Sequence, residues 1–160
     1  MNLNSLFFAV VFILFSLTGC ASGPSEVVNG EEELSSDFPP SMTGTVIVNG
    51  KTYEMEEGNS MWERKKGEES EVVQTDASSP SQISESSNAI EVEPNTVILI
   101  EIERDPVQSV YLWNEDERDQ EIKLANNHFA APSSEGCYVY EVFAEWQNGE
   151  VSYTFVVEVN

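Results

Sequence analysis

An all-β fold, an antiparallel β-sandwich of two packed sheets, is the class this sequence predicts, and three observations predict it. Residues 151–159 set Val151, Tyr153, Phe155, Val157 and Val159 against Ser152, Thr154, Val156 and Glu158, the period of two of a strand with one face in a core. Asn49-Gly50 and Asn148-Gly149 are hairpin-turn dipeptides, each between β-rich runs. From Ala89 onward, short β-rich runs alternate with turn signals at the spacing of a sandwich, and no helical period competes with them.

The chain begins differently. Residues 6–16, from Leu6 to Ser16, are a run of roughly a dozen mostly apolar positions, the length of a signal-peptide core and short of the about 20 residues a bilayer span takes. Met1 to Ser5 carry no Lys or Arg, so only the amino terminus supplies positive charge ahead of that run. At its end stands Leu17-Thr18-Gly19-Cys20, which resembles the lipobox of bacterial lipoproteins: an apolar residue, two small ones, then cysteine. A thiol can accept a diacylglyceryl group as a thioether, and small residues before it give a signal peptidase access to the peptide bond. The resemblance implies residues 1–19 as signal peptide, cleavage between Gly19 and Cys20, lipidation of Cys20, and a chain anchored through its acyl groups on the extracytoplasmic face of a bacterial membrane.

Residues 20–42 are rich in Ser, Gly, Pro and acid, with Gly30-Glu31-Glu32-Glu33 and Pro39-Pro40, and read as a flexible acidic tether, disordered for lack of apolar residues to pack. The folded domain is expected over residues 43–160. Its first hairpin joins Thr45-Val46-Ile47-Val48 to Lys51-Thr52-Tyr53-Glu54-Met55 through Asn49-Gly50. Residues 56–88 lose the alternation and become Ser-rich, so a long mobile insertion is expected there. Within it Trp62 either caps the sandwich edge as packing or stands exposed as a contact for a partner.

Strands are then expected over 89–92, 96–103 and 108–114. An acidic loop, Glu115-Asp116-Glu117-Arg118-Asp119, comes next, followed by strands over 121–124, 128–130, 137–147 and 150–159. In the penultimate strand Tyr138, Tyr140, Val142, Ala144 and Trp146 share one face, expected to be core; Val139 and Phe143 share the other with Glu141 and Glu145. Gly136-Cys137-Tyr138, ahead of a long strand, resembles the tyrosine corner of immunoglobulin-like (Ig-like) domains, and Trp113 resembles their core tryptophan. The cysteines that would join the sheets are absent, with Tyr140 standing where the second would fall. The series Gly136, Tyr138, Tyr140, Val142, Ala144, Trp146, Gly149 is also similar to the ending of uncharacterised Ig-like lipoproteins of Gram-positive bacteria. That likeness covers about residues 89–160; it implies an Ig-like sandwich and a location, and no activity.

Charge and residue counts narrow the function. Seven basic against 29 acidic residues leave a formal charge of −22, which excludes nucleic-acid binding and leaves the lipid on Cys20, not a polybasic patch, to hold the membrane. So much acid serves solubility and spacing from an anionic envelope, or else capture of cations or basic ligands. Cys20 and Cys137 are the two cysteines; no disulfide is expected, and Cys137 reads as a small buried hydrophobe. One histidine, His128, leaves nucleophilic catalysis with only a conceivable Cys137–His128 pair and no sign of an oxyanion hole, and falls short of a zinc cluster. A carboxylate pair for glycoside cleavage has no distinguishing signal among so many acids. Asp116 and Asp119 of the acidic loop are weak calcium candidates, without the Gly or closing Glu of an EF-hand. The expectation is a monomeric, non-catalytic binding module without a cofactor, engaging a protein or other envelope component. A surface-anchored protease inhibitor using loop 56–88 and a cation-binding domain are the alternatives.

Overall fold

The computed structural model describes residues 38–160, so the leader, the lipobox with Cys20 and the tether as far as residue 37 lie outside the described residues. Eleven strands and one short helix follow: β1 Gly44–Val48, β2 Lys51–Glu54, β3 Glu56–Lys66, β4 Glu69–Thr75, α1 Pro80–Ser84, β5 Ile90–Val92, β6 Val97–Ile102, β7 Val107–Asn114, β8 Glu117–Ile122, β9 His128–Ala130, β10 Gly136–Trp146 and β11 Gly149–Val159. They form two sheets. The smaller runs β2-β1-β6-β9 and the larger β4-β3-β11-β10-β7-β8, with β5 added in parallel to the far end of β11. All other pairings are antiparallel. The all-β sandwich is therefore the fold, with β6 and β9 in one sheet and β11, β10, β7 and β8 in the other.

The alternation builds the core directly. Val46 and Val48 on β1, Ile98, Ile100 and Ile102 on β6, and Val110 on β7 point inward, facing Tyr140, Val142 and Ala144 of β10 and Val151, Tyr153, Phe155, Val157 and Val159 of β11. Tyr140 stacks on Phe155 with centroids 5.2 Å apart, and Phe129 of β9 closes on Tyr140 at 5.1 Å. The hairpin at Asn49-Gly50 forms as its sequence demands, both residues left-handed at φ 51° and 75°. The final turn sits one residue earlier than its dipeptide suggests: Trp146 pairs with Gly149 across Gln147-Asn148. The Tyr138 hydroxyl donates to the Ser134 carbonyl at 3.0 Å.

Five expectations need correction. Residues 56–88 are not irregular: β3 and β4 form a hairpin about Gly67 (φ 70°) that widens the larger sheet by two strands. Helix α1 follows, with Ser79 and Gln82 in a capping box and Pro80 in the first turn. The strand signal was missing because the buried residues of β3 are Gly58, Ser60 and Trp62, of which only the last is apolar. Trp62 is accordingly not a partner contact; it is 2% exposed and packs on Trp146 with centroids 5.1 Å apart.

Trp113 is not the core tryptophan. It pairs with Val139 and shares its side of the sheet with Tyr111, while Val110 and Leu112 supply the inward parity of β7. Cys137 is exposed, because it sits opposite Glu158 on the parity that points away from the core. Residues 38–42, the expected end of the tether, belong to the fold: Met42 is 4% exposed, its carbonyl accepts from the buried Tyr153 hydroxyl at 2.7 Å, and Phe38 packs partly against the core.

Candidate functional site

The outer face of the larger sheet carries the most chemistry. The parity that puts Val110, Leu112, Tyr140 and Val142 in the core turns Tyr111 and Trp113 of β7, Glu141 and Phe143 of β10 and Ser152 of β11 outward. Arg118 joins them from β8, where it pairs with Trp113 beside a register shift. Helix α1 packs over part of this face, touching β11, β10, β7 and β3, and Ser81 Oγ donates to the Glu115 carbonyl at the β7–β8 turn. Under that cover Thr154 and Val156 are buried although they point away from the main core.

Glu141 organises what remains open. Its side chain is 7% exposed, and a carboxylate so placed must be compensated. Oε2 accepts Trp113 Nε1 at 2.7 Å and Arg118 Nε at 2.8 Å, while Oε1 accepts Arg118 Nη2 at 3.0 Å. The Arg118 guanidinium is thus held in a two-point fork, lies 4.2 Å from the Tyr111 ring centroid and 5.6 Å from that of Phe143, and remains 43% exposed. Its pKa is raised, chiefly by the hydrogen bond to Glu141, against an opposing effect of burial. The result is a rigid patch of two aromatic rings and a flat cation, with a carboxylate beneath. Beside it opens a recess of about 230 Å³, lined by Arg118, Glu141 and Phe143 and closed on the far side by Met61, Gln74 and Asp76.

Other surfaces are less organised. A shallow hollow at one end of the smaller sheet is bordered by Glu101, Glu103 and Asp105, but Glu103 is committed to the fold, accepting from Thr43 N and, through its carbonyl, from Trp146 Nε1. The edge strands of the larger sheet are β4 and β8, with Glu69 and Glu71 on one and Glu117, Arg118, Asp119 and Glu121 on the other, a composition that discourages strand addition.

The residues singled out in the sequence are dispersed. The acidic loop is mostly strand: Glu115-Asp116 make the β7–β8 turn, and Asp119 lies within β8. Asp116 and Asp119 gather no third ligand, and among the described residues no group of three or more His, Cys, Asp or Glu is placed to hold a metal ion. His128 and Cys137 belong to strands of different sheets, and His128 Nδ1 instead lies 2.6 Å from the Asn126 carbonyl. Sequence reasoning missed Tyr111, Arg118, Glu141 and Phe143 as a group. Arg118 was hidden in an acidic run, and Glu141 in a strand whose other face was the obvious core. The signal available was the alternation Tyr111-x-Trp113 on one side of a strand whose other side carries Val110 and Leu112.

Comparison of the chain with protein-family models, with curated proteins and with solved structures gives no match.

Proposed function

We propose that this chain is a non-catalytic, Ig-like interaction module. On this reading a diacylglyceryl group on Cys20 tethers it at the extracytoplasmic face of a bacterial membrane, and it binds a protein or other envelope component through the outer face of its larger sheet. The observation that carries the binding reading is the Arg118–Glu141 fork with Tyr111, Trp113 and Phe143 around it. Tyr, Trp and Arg dominate the energetics of protein interfaces, and a side chain whose rotamer is already fixed loses little entropy on binding. Three adjacent strands hold these groups in place, the rigid support a recognition surface needs. Membrane attachment draws on Leu17-Thr18-Gly19-Cys20 and on the strongly acidic composition, which leaves a lipid as the means of holding an anionic surface.

The test is photocrosslinking in living cells, with a benzophenone amino acid at Met61, on the rim of the recess, or at Ile47, on the outer face of the smaller sheet. Discrete adducts from position 61 that disappear when Arg118→Ala is added, with none from position 47, are the expected result. Adducts from position 47 alone would contradict it.

A further inference from the structure

The recess beside Arg118 has a definite chemical character. Glu141 holds Arg118 through Nε and Nη2, so the guanidinium forms one wall of the recess with its charge already matched. Glu141 offsets that one positive charge, and two further acids, Asp76 and Glu150, line the recess with no cation to answer them there. Its apolar surfaces are Phe143 and Met61, the latter 40% exposed and one of few large apolar side chains so exposed. A thioether adapts to varied shapes, and an aromatic face receives cations. About 230 Å³ is room for one long side chain. The remainder of the molecule supports the same sign, with a formal charge of −22.

Resting on the outer-face reading above, we propose that this recess takes a lysine or arginine side chain from a basic peptide segment of the partner. The aliphatic stem lies between Met61 and Phe143, and the cationic head is received by Asp76 and Glu150. A polyanion or an acidic peptide would meet Asp76 and Glu150 and is repelled by the acidic surface around them.

The experiment uses the full chain in non-ionic detergent, with its methionine methyl groups labelled for NMR. It is titrated with acetyl-(Gly-Lys)3-amide and, as a neutral control of the same length, the peptide with every lysine acetylated. The expected result is a saturable shift of the Met61 methyl signal with the basic peptide alone, while buried Met42 and Met55 stay in place. Asp76→Asn with Glu150→Gln raises Kd at least tenfold. Glu54→Gln with Glu101→Gln, an equal charge change on the smaller sheet, alters it less than twofold. An unmoved Met61 signal, or equal weakening by both pairs, overturns the proposal. Crosslinking at position 61 in cells with an unmoved methyl signal would leave the module's binding face standing and remove only the basic-peptide assignment.

Discussion

Arg118 and Glu141 meet across an intervening strand: β8 supplies the guanidinium, β10 the carboxylate, and β7 between them contributes Trp113 as a third donor. The pair is lopsided, with side chains 43% and 7% exposed. Removing the exposed partner strands a buried charge, while neutralising the buried one leaves a cation that water can reach. Arg118→Ala is therefore expected to cost about 2 kcal/mol, and Glu141→Gln about 1 kcal/mol, read as a shift in urea midpoint at unchanged slope. Equal losses, or the reverse order, would show that Glu141 is not the member that depends on its partner.

Trp62 and Gly149 are a second cross-strand relationship. The indole lies over the glycine so closely that a Cβ at position 149 would overlap its six-membered ring. Gly149→Ala should destabilise the domain by about 1–3 kcal/mol through overpacking, and Trp62→Ala by about 3–5 kcal/mol through the cavity left against Trp146. In the double variant the cost of Gly149→Ala should shrink to what the Met61 carbonyl oxygen, 2.7 Å from the new Cβ, still imposes, because the indole is gone. A full additive loss in the thermal midpoints would show that the collision is not the cause.

Alkaline stability has a definite sign. Burial raises the phenol pKa of Tyr140 and Tyr153 above the ordinary value of about 10, so the folded state holds two protons that the unfolded chain gives up. Stability from these groups is complete below about pH 10 and falls as pH rises beyond it toward their folded pKa values. Absorbance at 295 nm should show part of the tyrosinate signal appearing only together with loss of near-ultraviolet circular dichroism. Full ionisation ahead of unfolding would contradict the burial of both phenols.

Cys137 is exposed at the start of β10. In a Cys20→Ser variant, Ellman's reagent without denaturant should titrate one thiol per chain, at a rate near that of the unfolded protein. A thiol that reacts only after urea is added would place Cys137 in the core after all.

Much of the architecture was legible because its strands advertise themselves. Val151 to Val159 and Tyr138 to Trp146 each carry most of their large apolar residues on one parity, and the expected core face of each is the observed one. What stayed hidden follows one physical pattern. β3 turns Gly58 and Ser60 inward, β8 is exposed over nearly all of its length, and α1 covers the sheet with a turn of serines, so none of them writes an apolar period into the sequence. The candidate site on the outer face was hidden for the complementary reason. Alternation identifies the side of a strand that avoids water, and the outward side of Tyr111, Trp113, Glu141 and Phe143 becomes a site only when β7, β8 and β10 are laid next to each other. The Trp113 reading failed on the same point, since a tryptophan on a central strand fits either side until the register is known.

The proposed setting is a domain held outside a membrane by a lipid attached to Cys20. The intact mass of the chain extracted from bacterial membranes, wild type beside Cys20→Ala, tests that most directly. The expected result is a species beginning at Cys20 with the added mass of a diacylglyceryl group, partitioning into detergent, with both properties lost in the variant. A chain with Met1 in place and no lipid would contradict the account and leave the sandwich with its Arg118–Glu141 face as a fold without the proposed setting.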